Sequence, residues 1–406
     1  MSYLMMKSLA PAARIAAALA ILALLPACKG DGNPAMPGGK PLTVGDSVFG
    51  TGNTRWFVAD TAGSGSMQPE LDGTRVYFER ELDITYAGEV LGPARLVALD
   101  RETGARLWAN PIIAGKNAAV AGSHVAAIWG GLPIFERASG TPAGVYRYGS
   151  TSLSGNVVSD ATRFYMTTYT GHAVAVNPAT GAAEWDTNLA AGATTTGFGA
   201  ALSGNALAVV LKHFGGSAAQ RDSGIVAVLD PASGTVRWRR TLEASIVDPG
   251  LVDPPVIVGD VVIVVTMGHD VRAFDLQTGA PRWQADASYT AQEFGSGGLA
   301  ACQGMVIVPT GDLGLVALDA ATGQVRWRRG DLQDGSLFTV QCSHGTVMTV
   351  GGRMRVFDAA TGTQRARYPI IEPDPRRDPF WINSVVRDER YLYVGSTFGW
   401  AKVAAP

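Results

Sequence analysis

From about Leu42 to the C-terminus, apolar residues fall into short runs separated by polar turns, and the runs come in pairs. In VALDAATGQVRW (316–327) an apolar run ends at Asp319, a Thr-Gly turn follows, and a second run carries Trp327. Runs of this length bounded by Asp, Thr and Gly predict β-strands rather than helices. The turn chemistry predicts a hairpin. An Asp side chain can accept from backbone NH groups ahead of it, and glycine supplies the positive φ of a tight turn.

The same pattern returns along the chain. VALDRETGARLW ends at Trp108, VAVNPATGAAEW at Trp185, AVLDPASGTVRW at Trp238 and RAFDLQTGAPRW at Trp283. Two further copies keep the turn and lose the tryptophan: PIFERASGTPAG has Gly144 in its place, and RVFDAATGTQRA has Ala366. The turn glycines Gly104, Gly140, Gly181, Gly234, Gly279, Gly323 and Gly362 are separated by 36, 41, 53, 45, 44 and 39 residues. Between these motifs lies a second recurring element, a short polar turn leading into an apolar strand. It is seen in DGTRVYF (72–78), GDVVIVV (259–265), QGMVIV (303–308), HGTVMTV (344–350) and DERYLYV (388–394).

Each unit therefore holds four short strands, and a period near 40 with four strands per unit predicts a β-propeller. The expected fold is all-β: an eight-bladed propeller of four-stranded antiparallel blades. Its last blade lacks a final strand, and Thr54-Arg-Trp-Phe-Val58 near the N-terminus is expected to supply it, covering an otherwise open edge. Seven blades is the alternative if the weak unit around Phe135 is not a blade. Trp56, Trp108, Trp185, Trp238, Trp283 and Trp327 are expected to wedge one blade against the next, each indole NH bonding to a backbone carbonyl of its neighbour.

Composition narrows the class. Of 406 residues, 47% are hydrophobic and 17% charged, enough for a large core and too little charge for a disordered chain. The net charge of −2, with no basic field, argues against nucleic acid as a partner.

The first residues read as a targeting segment. Lys7 and Arg14 precede an apolar stretch at 15–25 (IAAALAILALL), too short to span a bilayer comfortably. Leu25-Pro26-Ala27-Cys28 then resembles the bacterial lipobox, in which the cysteine is lipidated and becomes the mature N-terminus. The expected organisation is a lipoprotein signal peptide at 1–27, a flexible Gly- and Pro-rich tether at 28–41 after lipidated Cys28, and the propeller at 42–406. Loss of Lys7 and Arg14 leaves 31 bases against 35 acids, a mature charge of −4. Lys29 after the cysteine favours the outer membrane by the sorting rule of such lipoproteins, so the domain is expected to face the periplasm. In that oxidising compartment Cys302 and Cys342, in consecutive units, are either a disulfide or two buried thiols.

The repeat Ala-x-Asp-x-x-Thr-Gly-x-x-x-Trp resembles the tryptophan-docking repeat of quinoprotein alcohol dehydrogenase-like propellers, the PQQ-like repeats, over about residues 54–400. A lipobox with a stand-alone propeller of this length is similar, within that superfamily, to a lipoprotein of the outer-membrane β-barrel assembly machinery. That resemblance implies a non-enzymatic, monomeric scaffold that docks a periplasmic or outer-membrane protein partner while anchored to the membrane by lipid. The superfamily's dehydrogenases imply instead PQQ, calcium, a disulfide between adjacent cysteines and an acidic base. No adjacent cysteines occur here, and the acids Asp100, Asp230, Asp275, Asp319 and Asp358 fall on the repeated turns. No cofactor, catalytic residue or metal site is therefore expected. His124, His172, His213, His269 and His344 show no ligand spacing. The alternative is a ligand-binding or PQQ-dependent oxidoreductase-like propeller using its central funnel.

Partner binding is expected where the repeat is broken. Insertions at 79–94 and 212–224 lengthen the first and fourth units, and DPRRDPFW (374–381) places Arg376 and Arg377 beside Phe380 and Trp381. The arginines following Trp238 and Trp327 read as solvated strand ends.

Overall fold

The computed structural model describes residues 48–49, 52–59, 67–80, 95–111, 117–128, 131–149, 153–190, 195–214, 223–242, 253–266, 270–286, 298–310, 314–330, 332, 339–351, 353–368, 382–396 and 399–406. They form eight four-stranded antiparallel sheets, the blades of a β-propeller. In blades 1 to 7 the four strands follow one another in sequence and in space, over 70–111, 118–146, 153–188, 195–242, 256–286, 300–329 and 339–368. Blade 8 takes three strands from 382–404 and its outermost strand, Thr54–Ala59, from the other end of the chain. The expected N-terminal closure and the count of eight are both borne out, and the weak unit around Phe135 is a full blade.

First strands of successive blades touch one another around the axis, whereas the fourth strands lie at the circumference. Second and third strands are buried on both faces; Val261–Val265 and Gly314–Asp319, for example, are apolar almost throughout. The core is accordingly a series of sheet-on-sheet clusters. One joins Val261, Ile263 and Val271 of blade 5 to Val306, Val308 and Val316 of blade 6.

The repeated motif makes the junctions. Asp319 Oδ1 accepts from the Thr322 backbone NH at 2.9 Å and from its hydroxyl at 2.8 Å, while the Gly323 NH donates to the Asp319 carbonyl at 2.8 Å. The turn thus presents its first carbonyl and its glycine to the preceding blade. There the Trp283 indole NH donates to the Ala320 carbonyl at 2.8 Å. The same bond joins Trp56 to Arg101, Trp108 to Arg137, Trp185 to Pro231, Trp238 to Leu276 and Trp327 to Ala359, at 2.8–3.1 Å. At 150–250 Å² each, a buried tryptophan contributes at most about 4–6 kcal/mol of apolar burial.

Two further contacts reinforce this frame. The arginine seven residues after the motif Asp returns to it: Arg237 Nη2 lies 2.9 Å from Asp230 Oδ2, with equivalent pairs Arg282–Asp275, Arg326–Asp319 and Arg365–Asp358. The residue two beyond the tryptophan hooks the next blade's turn glycine. Arg240 Nε and Arg329 Nε donate at 2.6 Å to the carbonyls of Gly279 and Gly362, and Thr187 does so to Gly234 at 2.7 Å. Arg240 and Arg329 are therefore not solvated strand ends: the strand's alternation turns them to the same side as the tryptophan, toward the neighbouring blade.

Two junctions lack the tryptophan. Between blades 2 and 3, Gly144 and Gly181 face each other, and a Cβ built on either would lie 3.9 Å from the other's Cα. Between blades 7 and 8, Ala366 stands in its place, and blade 8 has no third-to-fourth turn to receive an indole because the chain ends meet there. Ala404 NH donates to the Asn53 carbonyl at 2.8 Å. Val48 and Phe49 occupy that junction, with Phe49 edge-on to Tyr368 at 5.5 Å and both packed on Val356, Val385 and Val403.

Cys302 and Cys342 are bonded, their Cα atoms 5.4 Å apart. Equivalent points of adjacent blades are often too distant for a disulfide. These two lie in the first strands of blades 6 and 7, where the blades converge toward the axis. The bridge closes a loop of 40 residues, and its removal is expected to cost about 2–4 kcal/mol. Tryptic peptides of the unreduced protein should contain the Cys302–Cys342 pair, and Cys342→Ala should lower the thermal midpoint.

The glycines separate two effects. At Gly323, φ is +74° and a Cβ would lie 2.7 Å from Trp283 Cδ2, so Gly323→Ala meets both backbone strain and the indole face. At Gly181 φ is +65° with no such clash, so Gly181→Ala meets the strain alone, about 1–2 kcal/mol. Denaturant unfolding of the two variants should show the Gly323→Ala loss to be the larger by at least about 1 kcal/mol.

Candidate functional site

The antiparallel order of every blade gives the ring two unlike ends. At one, first-to-second and third-to-fourth strand turns contain two to six residues and carry the docking motifs. Every longer connection opens at the opposite end: 81–94, 214–222, 243–255, 287–299, 330–338, 369–381 and the 60–69 stretch after the closing strand. All three segments expected to bind a partner border this second end. Arg376, Arg377, Phe380 and Trp381 lie outside the described residues, as does Cys28. Of the 212–224 insertion, Lys212 and His213 end a strand; Lys212 is buried, with Nζ 5.1 Å from the Phe214 ring centroid, and Phe214 is exposed.

Described residues at this end form small, separate polar groups. Tyr148 packs on the His172 ring at 5.2 Å, and His172 Nδ1 lies 2.7 Å from Asp186 Oδ1. Burial and the Asp186 carboxylate raise the Tyr148 hydroxyl above its ordinary value. His213 Nδ1 meets Thr195 Oγ1 at 3.2 Å, and Tyr169 is exposed on the turn beside them. The other two described histidine pairs lie at the motif end: His124 faces Glu136 at 3.2 Å in blade 2, and His344 meets Ser343 at 2.6 Å in blade 7. Among the described residues, no three His, Cys, Asp or Glu side chains converge as metal ligands.

The first strands around the axis read EL, AAVA, LSGNVVS, TTGFGAALS, VIV, AAC, TVQCS and INSVVR. Glu70 and Arg387 are their only charged residues. Burial, with Asp72 nearby, pushes the Glu70 carboxyl up to about 7. Arg387 is buried and donates to Thr346 Oγ1 at 2.5 Å. Amide bridges stitch neighbouring first strands. Asn117 exchanges hydrogen bonds with the Val157 backbone at 2.7 and 3.0 Å, and Asn156 with that of Ala200 at 2.8 and 3.0 Å.

The strongest electrostatic cluster belongs to the motif end. Asp72, Asp160 and Asp388 each accept two backbone NH bonds and a tyrosine hydroxyl five residues on, at 2.6, 2.7 and 2.9 Å from Tyr77, Tyr165 and Tyr393. This Asp-x-x-x-x-Tyr turn was visible in the sequence only as a polar turn. At the ring closure Arg101 of blade 1 reaches back to blade 8, its Nη2 2.5 Å from Asp388 Oδ2. Lys402, almost fully buried over the Tyr391 ring at 4.3 Å, meets Glu102 at 3.0 Å. These contacts are architectural and lock the seam.

Burial pushes the Asp388 carboxyl up, but the NH groups of Arg390 and Tyr391, the Tyr393 hydroxyl and the Arg101 guanidinium outweigh it and hold the group below its ordinary 3.8. A carboxyl depressed in the folded state adds stability that is full above its unfolded value and is lost as pH falls through the folded one. Asp388→Asn should therefore lower stability at pH 7 and flatten the loss of stability below pH ~4. Thermal midpoints of both proteins across the acid range read this directly.

The sequence profile described as "Outer membrane protein assembly factor BamB" matches residues 93–210 and 169–331, more than half of the chain. The chain belongs to this family. BamB from Moraxella catarrhalis superposes with a TM-score of 0.60 at 14% identity, covering 86% of this chain and 98% of that one. A europium-containing methanol dehydrogenase superposes at 0.62 and 12%, covering 84% and 85%. The computationally designed Ika8 protein does so at 0.62 and 12%, covering 87% and 100%. At these identities the likeness is one of fold. The quinohemoprotein alcohol dehydrogenase of Comamonas testosteroni is 29% identical over 173 residues, 38% of this chain and 24% of that enzyme. The chain thus spans about a quarter of that relative's length.

Among the described residues the axial strands bring together no acidic set, and Cys302 and Cys342, forty residues apart in sequence, join two blades.

Proposed function

We propose that the chain is a non-catalytic, lipid-anchored scaffold facing the periplasm, docking a protein partner in outer-membrane protein assembly. Membership of the BamB family carries the reading. The segregation of long connections to one end supports it, because rigid repeats at the other end leave loop variation free to specify a partner. Anchoring rests on Cys28 and its lipobox. The apolar stretch at 15–25 is too short to span a bilayer comfortably, so an acyl anchor suits this sequence better than a span. Arg376, Arg377, Phe380 and Trp381 combine the residue types most enriched in binding hot spots and are the first candidates for contact.

The test is affinity isolation of the acylated protein from detergent-solubilised envelopes, with and without paired Phe380→Ala and Trp381→Ala changes. Recovery of a barrel-assembly component by the parent, weakened at least tenfold in the double variant, is expected. Isolation of the protein with no such component would refute the assembly role.

A further inference from the structure

The outer strands of the eight blades are unequally charged. Those of blades 4 to 7 (VRWRRTL, PRWQAD, VRWRR, QRARY) carry nine arginines and one acid; those of blades 1, 2, 3 and 8 (RLWANP, PAGVY, AEWDTN, TRWFVA) carry two arginines and two acids. The arginines of the outer strands therefore gather on half of the circumference. Four of the nine are paired to their motif aspartates. Blades 4 and 6 each add an arginine pair at the same place, after the tryptophan. Arg240 and Arg329 spend their Nε on turn carbonyls and meet no carboxylate among the described residues. The side chains of Arg239 and Arg328, on the other side of the strand, are exposed and make no hydrogen bond or ion pair among the described residues.

We infer that this arginine-bearing rim binds the anionic headgroups of a phospholipid bilayer. A protein partner would want an apolar centre inside the charged zone. Among the described residues of these outer strands, the large apolar side chains that stand exposed are Val236 in blade 4 and Val325 in blade 6, two blades apart. Separated guanidiniums with no apolar anchor suit a sheet of interchangeable phosphates, whose oxygens match the guanidinium fork. The position of the tether agrees. Phe49, the point at which the N-terminal segment meets the ring, packs on Tyr368 at the end of blade 7's outer strand, within the arginine-rich half. Some twenty residues separate Cys28 from Phe49; were they to act as the Gly- and Pro-rich tether that their composition proposes, a reach of about 25 Å would let an acyl group on Cys28 hold this rim beside the headgroups. Only that last step rests on the proposed anchor. One acyl signal plus a basic surface is a recognised route to stable peripheral binding.

The experiment uses the chain produced from Cys28 onward without acylation, so that binding by the rim is read apart from anchoring or assembly. Cosedimentation with vesicles of phosphatidylcholine and phosphatidylglycerol is compared with phosphatidylcholine alone. Binding is expected only to the anionic vesicles and should weaken with salt. Arg239→Gln with Arg328→Gln should reduce it roughly 25-fold, about fivefold for each arginine near such a surface. Arg326→Gln, which removes a cation already paired with Asp319, should change it much less and serves as the control. Equal binding to both vesicle types, or no loss in the double variant, would overturn the inference. So would retention of the parent on immobilised polyglutamate but not on vesicles, which would assign the rim to an acidic protein.

Discussion

One contact organises the ring: the indole of one blade lying on the turn glycine of the next, with its NH on the carbonyl three residues before that glycine, directly after the motif acid. Each partner needs the other. The turn must be held open-faced by Asp, Thr and a left-handed glycine before a flat ring can approach within contact of its backbone. The indole must have a free backbone acceptor, or its buried NH would be left unsatisfied at a cost of about 1–3 kcal/mol. Because both halves sit in blades 1, 3, 4, 5 and 6, each of these receives one neighbour's indole or turn and grips the other, and the ring propagates from a local rule.

The exceptions follow from the same rule. Blade 8 is assembled from both ends of the chain, so the place where its turn should stand is a seam, with Ala404 bonded to Asn53. An indole on blade 7 would have nothing to dock on, and Ala366 stands where it would be. The vacancy is filled from outside the repeat by Val48 and Phe49. The seam's other flank is fastened by charge, through Arg101–Asp388 and Lys402–Glu102, with Trp56 still docked on Arg101. Ring closure therefore draws on more kinds of interaction than any ordinary junction.

What the sequence discloses tracks what repeats. Blade number, the closing role of Thr54–Ala59 and the two junctions without tryptophan were legible because five clean copies define a register against which Gly144 and Ala366 stand out. The arginine seven residues after the motif Asp and the hook two residues beyond the tryptophan were present in the same alignment, yet each occurs in only some blades. A partial pattern of charged residues looks like a solvated face until its partner is seen. The disulfide could not be settled from spacing, since 40 residues say nothing about separation; what decides it is that first strands converge at the axis. The role of Phe49 was hidden for the opposite reason: it belongs to no repeat at all.

The division between the two ends of the ring has a consequence for how such a chain can acquire function. At the motif end nearly every polar side chain is already committed to a turn, a hook or an ion pair, so a change there is felt first as lost blade packing. At the other end, connections of up to 14 residues separate consecutive strands. The outer strands are a third kind of surface, because their inward-facing positions are fixed by docking while alternate positions such as Arg239 and Arg328 face solvent and are free to vary. A propeller of this design can tune its affinity for a membrane on the rim and its choice of protein partner at the loop end independently.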